Sequence, residues 1–340
     1  MNFATAEGTA RYASRRGAVD GFYRRAQDLT VSSLGIGSYL GEMDEATSQG
    51  YIASVTAAVR GGVNFIDTSL NYRHQMSEQN IGEALSRSGV PRDEVVLCTK
   101  AGYLVPNALP PGPVEIVGNM HSMAPAFLRD QLGRSLENLR VRGIDVFYLH
   151  NPETQLQYVA AEEFYSRVAH AFETLEAEAE TGRIRWYGAA TWNGFRTRSS
   201  AEGLSLVRMA AIAERIAGRT HRFRFIQLPF NLGMLEGLAN QREEIDGRAL
   251  STIDAAARLG INVVASASLL QARLSNGLPK EIGERIPGLA TDAQRALQFA
   301  RSAPGVSVAL AGMSNPDHVT ENLAIASLPP ADLSSWFRRP

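Results

Sequence analysis

Short apolar runs alternate along the chain with longer amphipathic stretches. The runs are Val31–Gly37, Val63–Asp67, Val95–Lys100, Asp145–His150, Ile184–Ala190, Phe223–Leu228, Ile261–Ala265 and Val306–Ala311. Each is rich in Val, Ile or Phe and apolar at consecutive positions, the pattern of a parallel strand buried on both faces. Between them the period changes to that of a helix. Leu128, Leu132, Leu136 and Leu139 share one helical face, and Pro125 suits the first turn of that helix. Phe164, Val168, Phe172 and Leu175 form a second stripe that Gly182 stops. Thr291 with Gln294 reads as a capping box, and Asn315-Pro316 as the start of the last long helix. Eight strand–helix units with no dividing linker predict an α/β fold, a (β/α)8 barrel. A doubly wound open sheet is the competing architecture, and the even spacing of the units favours the barrel.

The expected organisation is an N-terminal arm or hairpin over residues 1–30, the barrel over 31–328 and a short tail over 329–340. The five arginines Arg11, Arg15, Arg16, Arg24 and Arg25 give the arm a faint transit-peptide character, but Glu7, Asp20 and Asp28 interrupt it. No apolar secretory segment is present. A polar arm is the preferred reading.

Composition narrows the class. The 340 residues carry 34 Lys+Arg against 35 Asp+Glu, a formal net charge of −1. Such a balance gives no electrostatic reason to expect nucleic acid or an anionic membrane as partner. No stretch approaches the roughly 18–20 apolar residues of a membrane helix. The single cysteine, Cys98, excludes an internal disulfide framework and fits a reducing, cytoplasmic location. Inside a strand, Cys98 reads as core rather than nucleophile. The six histidines and one cysteine show no metal-ligand spacing, so no metal is expected.

Active sites of such barrels form at the C-terminal strand ends. There the second run ends in Asp67, the third in Lys100 and the fourth in His150, while Gln227 follows Phe225-Ile226. A carboxylate, an ammonium and an imidazole thereby converge on one rim, with Tyr72 five residues past Asp67. A buried Asp67–Lys100 ion pair with no chemistry is the plain alternative for any one of these residues. Three ionisable ends together favour a site.

Those residues resemble the aldo-keto reductases. The likeness runs through Gly62-Val63-Asn64-Phe65-Ile66-Asp67-Thr68-Ser69, Tyr72, Ser77-Glu78, Gly82-Glu83-Ala84-Leu85 and Lys100. It continues through Ser135–Leu139, Tyr148-Leu149-His150-Asn151-Pro152, Gln227-Leu228-Pro229-Phe230-Asn231, Gly312–Pro316 and Glu321-Asn322. It spans residues 30–326. The resemblance implies a barrel, a catalytic tetrad of Asp67, Tyr72, Lys100 and His150, and reversible hydride transfer between a nicotinamide cofactor and an aldehyde or ketone. NADP (NADPH) is the family default, with NAD the alternative.

The chemistry of the tetrad follows from its side chains. A free tyrosine, with a pKa of about 10, is a poor acid at neutral pH, and a nearby ammonium is expected to lower it. Lys100 would thus tune Tyr72, Asp67 would hold Lys100 charged, and His150 would orient the carbonyl oxygen.

Cofactor positions implied by the resemblance are Thr191, Gln227, Phe230, Ser266, Arg273, Gly312, Ser314, His318 and Asn322. For Phe230 plain packing, and for Arg273 an exposed cation, are the alternatives. Departures are also plain. Ala190-Thr191 stands where the family often has Ser-Asn, and Arg73-His74-Gln75-Met76 replaces a common glycine after the tyrosine. No Lys or Arg occurs from Gly312 to Asn322, where a 2′-phosphate commonly meets one.

The proline-rich segment 101–124 is expected to be a binding loop or lid, with Tyr39, Tyr103, Met120, His121, Met123 and Trp192 at the mouth. Gly35-Ile36-Gly37-Ser38-Tyr39-Leu40-Gly41 has one residue too many for a dinucleotide fingerprint and reads as the first strand and its loop. A small-molecule aldehyde, ketone or alcohol is the expected partner. A cofactor-binding or redox-sensing subunit with little turnover, and a lyase or isomerase using the same Tyr and Lys, are the other function classes.

Overall fold

A computed structural model describes residues 2–334 and 336. The chain opens with α1 (Ala6–Ser14), then a hairpin of β1 (Tyr23–Ala26) and β2 (Leu29–Ser32). Barrel strands β3 (Leu34–Gly37), β4 (Phe65–Asp67), β5 (Val96–Ala101), β6 (Ile144–His150), β7 (Ile184–Ala190) and β8 (Phe223–Pro229) follow. A second hairpin, β9 (Gln241–Ile245) and β10 (Arg248–Ser251), precedes the last barrel strands β11 (Asn262–Ser266) and β12 (Val306–Gly312). The larger helices on the outside are α2 (Glu45–Gly61), α3 (Met76–Ser88), α4 (Pro125–Leu139), α5 (Ala161–Glu180) and α6 (Leu206–Ala217). The later ones are α7 (Glu236–Ala239), α8 (Thr252–Arg258), α9 (Lys280–Arg285), α10 (Asp292–Ser302) and α11 (Pro316–Asn322).

The eight strands from β3 to β8, with β11 and β12, are all parallel and close on themselves, β11 pairing with both β8 and β12. Closure excludes the open doubly wound sheet. The first apolar run divides between two elements. Val31 and Ser32 pair antiparallel with Arg24 and Tyr23, and the barrel strand begins only at Leu34. Local apolarity cannot separate a hairpin strand from a barrel strand when one residue, Ser33, lies between them.

That hairpin caps the N-terminal end of the barrel. Ala26, Leu29 and Val31 pack with the inward side chains Phe65, Val96, Val146, Phe225 and Val264 in one inner core. Asn64 fastens it, accepting from Ser32 N at 2.8 Å and donating to Thr30 O at 2.9 Å. Each large apolar side chain buried there contributes roughly 1.5–3 kcal/mol. Cys98 lies in the same core, its thiol pushed up first by burial.

Helix signals hold their expected places. Pro125 is at the first turn of α4, and Thr291 with Gln294 forms a complete capping box on α10. Asn315 caps α11, which is shorter than expected and passes at Leu323 into a 3-10 turn. Of the tail expected at 329–340, Ser335 and Phe337 to Pro340 lie outside the described residues, while Trp336 packs on Phe299 with centroids 4.9 Å apart.

Candidate active site

The C-terminal ends of the strands deliver the site. Parallel register sets Gly37 beside Asp67, His150 beside Ala190, and Ala190 beside Gln227. Tyr72 comes from the loop between β4 and α3. The loop runs along β5 past the strand proper, with Thr68 N donating to Cys98 O at 3.0 Å and Leu70 N to Lys100 O at 3.4 Å. It then turns back, Gln75 N donating to Leu70 O at 3.0 Å. Arg73, His74 and Gln75 hold φ of 49°, 49° and 78°, a left-handed turn built without glycine. Buried Arg73 braces it, donating to Glu42 O at 2.7 Å, Asp44 O at 3.1 Å and Ser48 Oγ at 3.0 Å.

Lys100 Nζ, fully buried, lies 2.5 Å from Asp67 Oδ1, 2.8 Å from Thr68 O and 3.5 Å from Tyr72 Oη. Gln227 Nε2 donates to the other oxygen, Asp67 Oδ2, at 2.9 Å. Burial raises the Asp67 carboxyl, against Lys100 and Gln227, which favour its ionised form. Burial alone would lower Lys100, but Asp67 and then Tyr72 hold it charged, above the ordinary lysine range. For Tyr72 burial is again the largest influence and raises the phenol, with Lys100 opposing it. The expected lowering of Tyr72 by Lys100 is therefore present as a force and outweighed by desolvation.

The Tyr72 and His150 rings meet edge to face with centroids 5.6 Å apart. Ser69 Oγ lies 3.1 Å from His150 Nδ1, 2.6 Å from Asn71 Oδ1 and 3.2 Å from Lys100 O. Burial, then the Lys100 charge, then His121 hold the His150 imidazolium well below the usual histidine range, so the ring is neutral. Sequence reasoning missed Ser69, although it lies two residues past Asp67 within a quoted motif.

These groups open into a cavity of about 410 Å³ whose walls include Tyr39, Tyr103, Thr191, Trp192, Gln227 and Leu310. Among the described residues no Lys or Arg lines it. Tyr39 stacks edge-on against Tyr72 at 5.0 Å, and Tyr103 against His150 at 5.1 Å. One wall is the segment from Ser266 to Ala272, where Ala267, Leu270, Gln271 and Ala272 have positive φ. Asn231 secures that wall, donating from Nδ2 to Ala267 O at 2.8 Å.

The candidate cofactor positions separate. Thr191, Gln227, Ser266 and Gly312 line the cavity. Asn322 is buried at the end of α11, its Nδ2 3.4 Å from Met313 Sδ and its Oδ1 lacking a partner among the described residues. Ser314 and His318 are exposed near the start of α11. Phe230 departs from expectation: it is fully buried and stacks on Phe299, centroids 5.9 Å apart and planes 4° from parallel. The ring follows β8 by one residue and turns into the helix layer, which is the packing alternative. Arg273 also lies outside the cavity lining and is exposed.

Three expected mouth residues, Met120, His121 and Met123, are not in the lining either. His121 is buried under segment 101–124, where both Tyr103 and Val117 bridge to it. Its Nε2 donates to His150 O at 2.8 Å, and its Nδ1 accepts from Gln155 Nε2 at 2.9 Å. Burial pushes its pKa down to about 4. Such an imidazole, neutral and with both nitrogens satisfied, is a pin for the segment.

Comparison with known proteins agrees with this architecture. The family model for the aldo/keto reductase family matches residues 33–212, more than half of the chain. The NADH-specific methylglyoxal reductase of Escherichia coli is 28% identical over 175 residues, 48% of this chain and 49% of that protein. The chain thus spans about half the length of that relative. D-threo-aldose 1-dehydrogenase from Pseudomonas sp is 26% identical over 328 residues, 89% of this chain and 92% of that protein. Among solved structures, an aldo/keto reductase from Klebsiella pneumoniae in complex with NADP and acetate superposes with a TM-score of 0.67 at 21% identity, covering 95% and 97% of the two chains. The chain belongs to the aldo/keto reductase family.

Proposed function

We propose that this protein is an NAD(P)-dependent oxidoreductase that reduces an aldehyde or ketone, and oxidises the matching alcohol, at Tyr72. The observation that carries the reading is the hydrogen-bonded chain Gln227–Asp67–Lys100–Tyr72, its first three members buried and half-buried Tyr72 at a cavity that also holds His150. Among the described residues no group of three or more His, Cys, Asp or Glu is placed to hold a metal ion.

Fit to a nicotinamide dinucleotide rests on residues of the chain. Gln227 spends its amide N–H on Asp67 and keeps its carbonyl oxygen for a carboxamide, with Thr191 beside it on the wall. Gly312 has nothing within 4 Å of where a Cβ would stand, leaving room for close approach of a ligand. Asn322 Oδ1, buried and lacking a partner, is an acceptor suited to an exocyclic amine such as that of adenine. The bound nicotinamide supplies or accepts the hydride.

Charge then accumulates on the substrate oxygen, and the residues handle it. Tyr72, kept protonated at neutral pH by its burial, donates its proton to that oxygen. The Lys100 charge favours the phenolate left behind, and Asp67 keeps Lys100 charged and aimed. His150, neutral and anchored at Nδ1 by Ser69, orients the carbonyl through its cavity side. In the reverse direction the Tyr72 phenolate takes the proton from an alcohol. The aromatic mouth and, among the described residues, the absence of lining cations favour neutral over anionic substrates.

NADP is the cofactor that the resemblance implies and the one bound in the Klebsiella pneumoniae structure, while the Escherichia coli relative is named NADH-specific. Steady-state oxidation of NADPH and NADH over a panel of aldehydes and ketones tests the reading. Turnover dependent on a carbonyl supports it. Tight cofactor binding with no turnover of any carbonyl favours a cofactor-binding or redox-sensing subunit, and substrate conversion without net cofactor loss favours a lyase or isomerase.

A further inference from the structure

Glu153 is an acid with no part in the chain described above, and its surroundings are unlike those of a surface carboxylate. It lies in the 3-10 turn Pro152–Gln157, three residues after His150. Its Oε1 accepts from three consecutive backbone amides, Trp192 N at 2.7 Å, Asn193 N at 3.0 Å and Gly194 N at 3.2 Å. Successive N–H groups converging in this way form an anion-binding concavity, here filled by the protein's own side chain. The second oxygen, Oε2, is buried with no partner among the described residues. Burial raises this carboxyl, and the three amides oppose that shift. No Lys or Arg pairs with Glu153 among the described ion pairs, so the amides are what hold the carboxylate.

The loop so held follows β7 and carries Thr191 and Trp192 into the cavity wall. Trp192 is 40% exposed and has no ring partner among the described aromatic contacts, so side-chain stacking does not fix it. Its backbone is held instead, the N–H by the shortest of the three bonds to Glu153 and the carbonyl by Arg196 Nη1 at 3.1 Å. Glycine at 194 is also required there, since a Cβ would stand 3.2 Å from Glu153 Cβ and 2.9 Å from Leu204. One side chain therefore couples the strand end bearing His150 to the loop bearing Trp192.

We propose that Glu153 is a positioning residue that sets the distance between the Trp192 wall and His150, and thereby determines which carbonyl substrates fit. This rests on the carbonyl reduction proposed above for the same cavity. A bulky aromatic aldehyde fills the space between the indole and the tetrad and depends on that wall. A small aliphatic aldehyde occupies only the carbonyl end and does not.

The test compares wild type with Glu153→Ala and Glu153→Gln, and for fluorescence each of the three is measured beside a separate counterpart that also carries Trp192→Phe, so that the Trp192 emission is obtained by difference. Glu153→Gln keeps one acceptor oxygen and nearly the same shape, which guards against a misfolded Glu153→Ala. Two readouts are taken: kcat/KM with propanal and with 4-nitrobenzaldehyde, and acrylamide quenching of Trp192. Glu153→Ala is expected to lose about tenfold in kcat/KM for the aromatic aldehyde and less than twofold for propanal, with Trp192 more readily quenched. Glu153→Gln is expected to fall between. An equal loss on both aldehydes, or Trp192 quenching identical to wild type in both variants, overturns the proposal. The quenching readout is independent of turnover. Absence of carbonyl reduction by wild type therefore counts against the proposed function, while the placement of Trp192 by Glu153 is still decided.

Discussion

The Lys100 ammonium reaches the Tyr72 hydroxyl at 3.5 Å across the far side of its 2.5 Å contact with Asp67. Tyr72 is thus subject to two opposed influences, burial raising its pKa and the ammonium lowering it. The sign matters for each direction of the reaction. Reduction uses the protonated phenol, so its rate stays level through neutral pH and falls only in alkali. Oxidation uses the phenolate and climbs with pH. Lys100→Met removes the lowering influence, so pH–rate profiles should show alcohol oxidation at pH 8 slowed by about 10²-fold or more, with the alkaline limb of reduction displaced upward.

Asp67→Asn keeps the shape of the site and leaves a buried ammonium without its counter-ion. Chemical denaturation should show a loss of about 3–5 kcal/mol, or a Lys100 that has shed its proton and an enzyme correspondingly slowed. Stability and activity both at wild-type levels would contradict the ion-pair account.

His121 gives the fold a pH dependence of known sign. Its folded pKa of about 4 lies below the ordinary value of 6.5, so the unfolded chain binds a proton that the folded chain refuses. Its contribution to stability is complete above about pH 6.5 and declines as pH falls toward 4, by roughly 3 kcal/mol in all. His121→Asn should make the acid limb of unfolding free energy against pH shallower by up to ~1.4 kcal/mol per pH unit. Urea titrations at pH 7.5, 6 and 5 measure it.

Much of this site was legible in the chain, and the reasons are physical. Asp67, Lys100, His150 and Gln227 end or nearly end apolar runs, and a polar side chain there faces the one rim every strand shares. Tyr72 needed the family motif, because nothing in a loop's composition says where it folds. Phe230 shows the limit of spacing arguments: one residue beyond β8 the backbone has turned, and the ring meets Phe299 in place of the cavity. The N-terminal hairpin was half legible, since Leu29–Ser32 and Leu34–Gly37 are equally apolar and differ in partner alone. Ser69, Glu153 and His121 act through contacts between segments far apart in sequence, for which a single sequence carries no signal.

Arg73 tests how the tyrosine loop is held. Its φ of 49° favours glycine, and its side chain makes three hydrogen bonds that glycine lacks. Arg73→Ala loses the bonds and keeps the strain, for about 2 kcal/mol or more. Arg73→Gly should recover roughly 0.4–1 kcal/mol of that. Thermal or urea unfolding that ranks alanine above glycine would contradict the strain account.

The missing cation near α11 bears on cofactor choice. His318→Arg places a permanent charge on that exposed helix, and titration calorimetry should show NADPH tightened about tenfold with NADH little changed. Equal changes for both cofactors would place the 2′-phosphate elsewhere.

The central claim is that Tyr72 donates the proton. Tyr72→Phe removes one oxygen atom from the site, so the decisive measurement is its carbonyl reduction rate beside wild type, with cofactor affinity measured on the same samples. The account predicts a loss of roughly 10²–10⁴-fold in kcat with the cofactor Kd unchanged within about twofold. Equal turnover by the two proteins would contradict it.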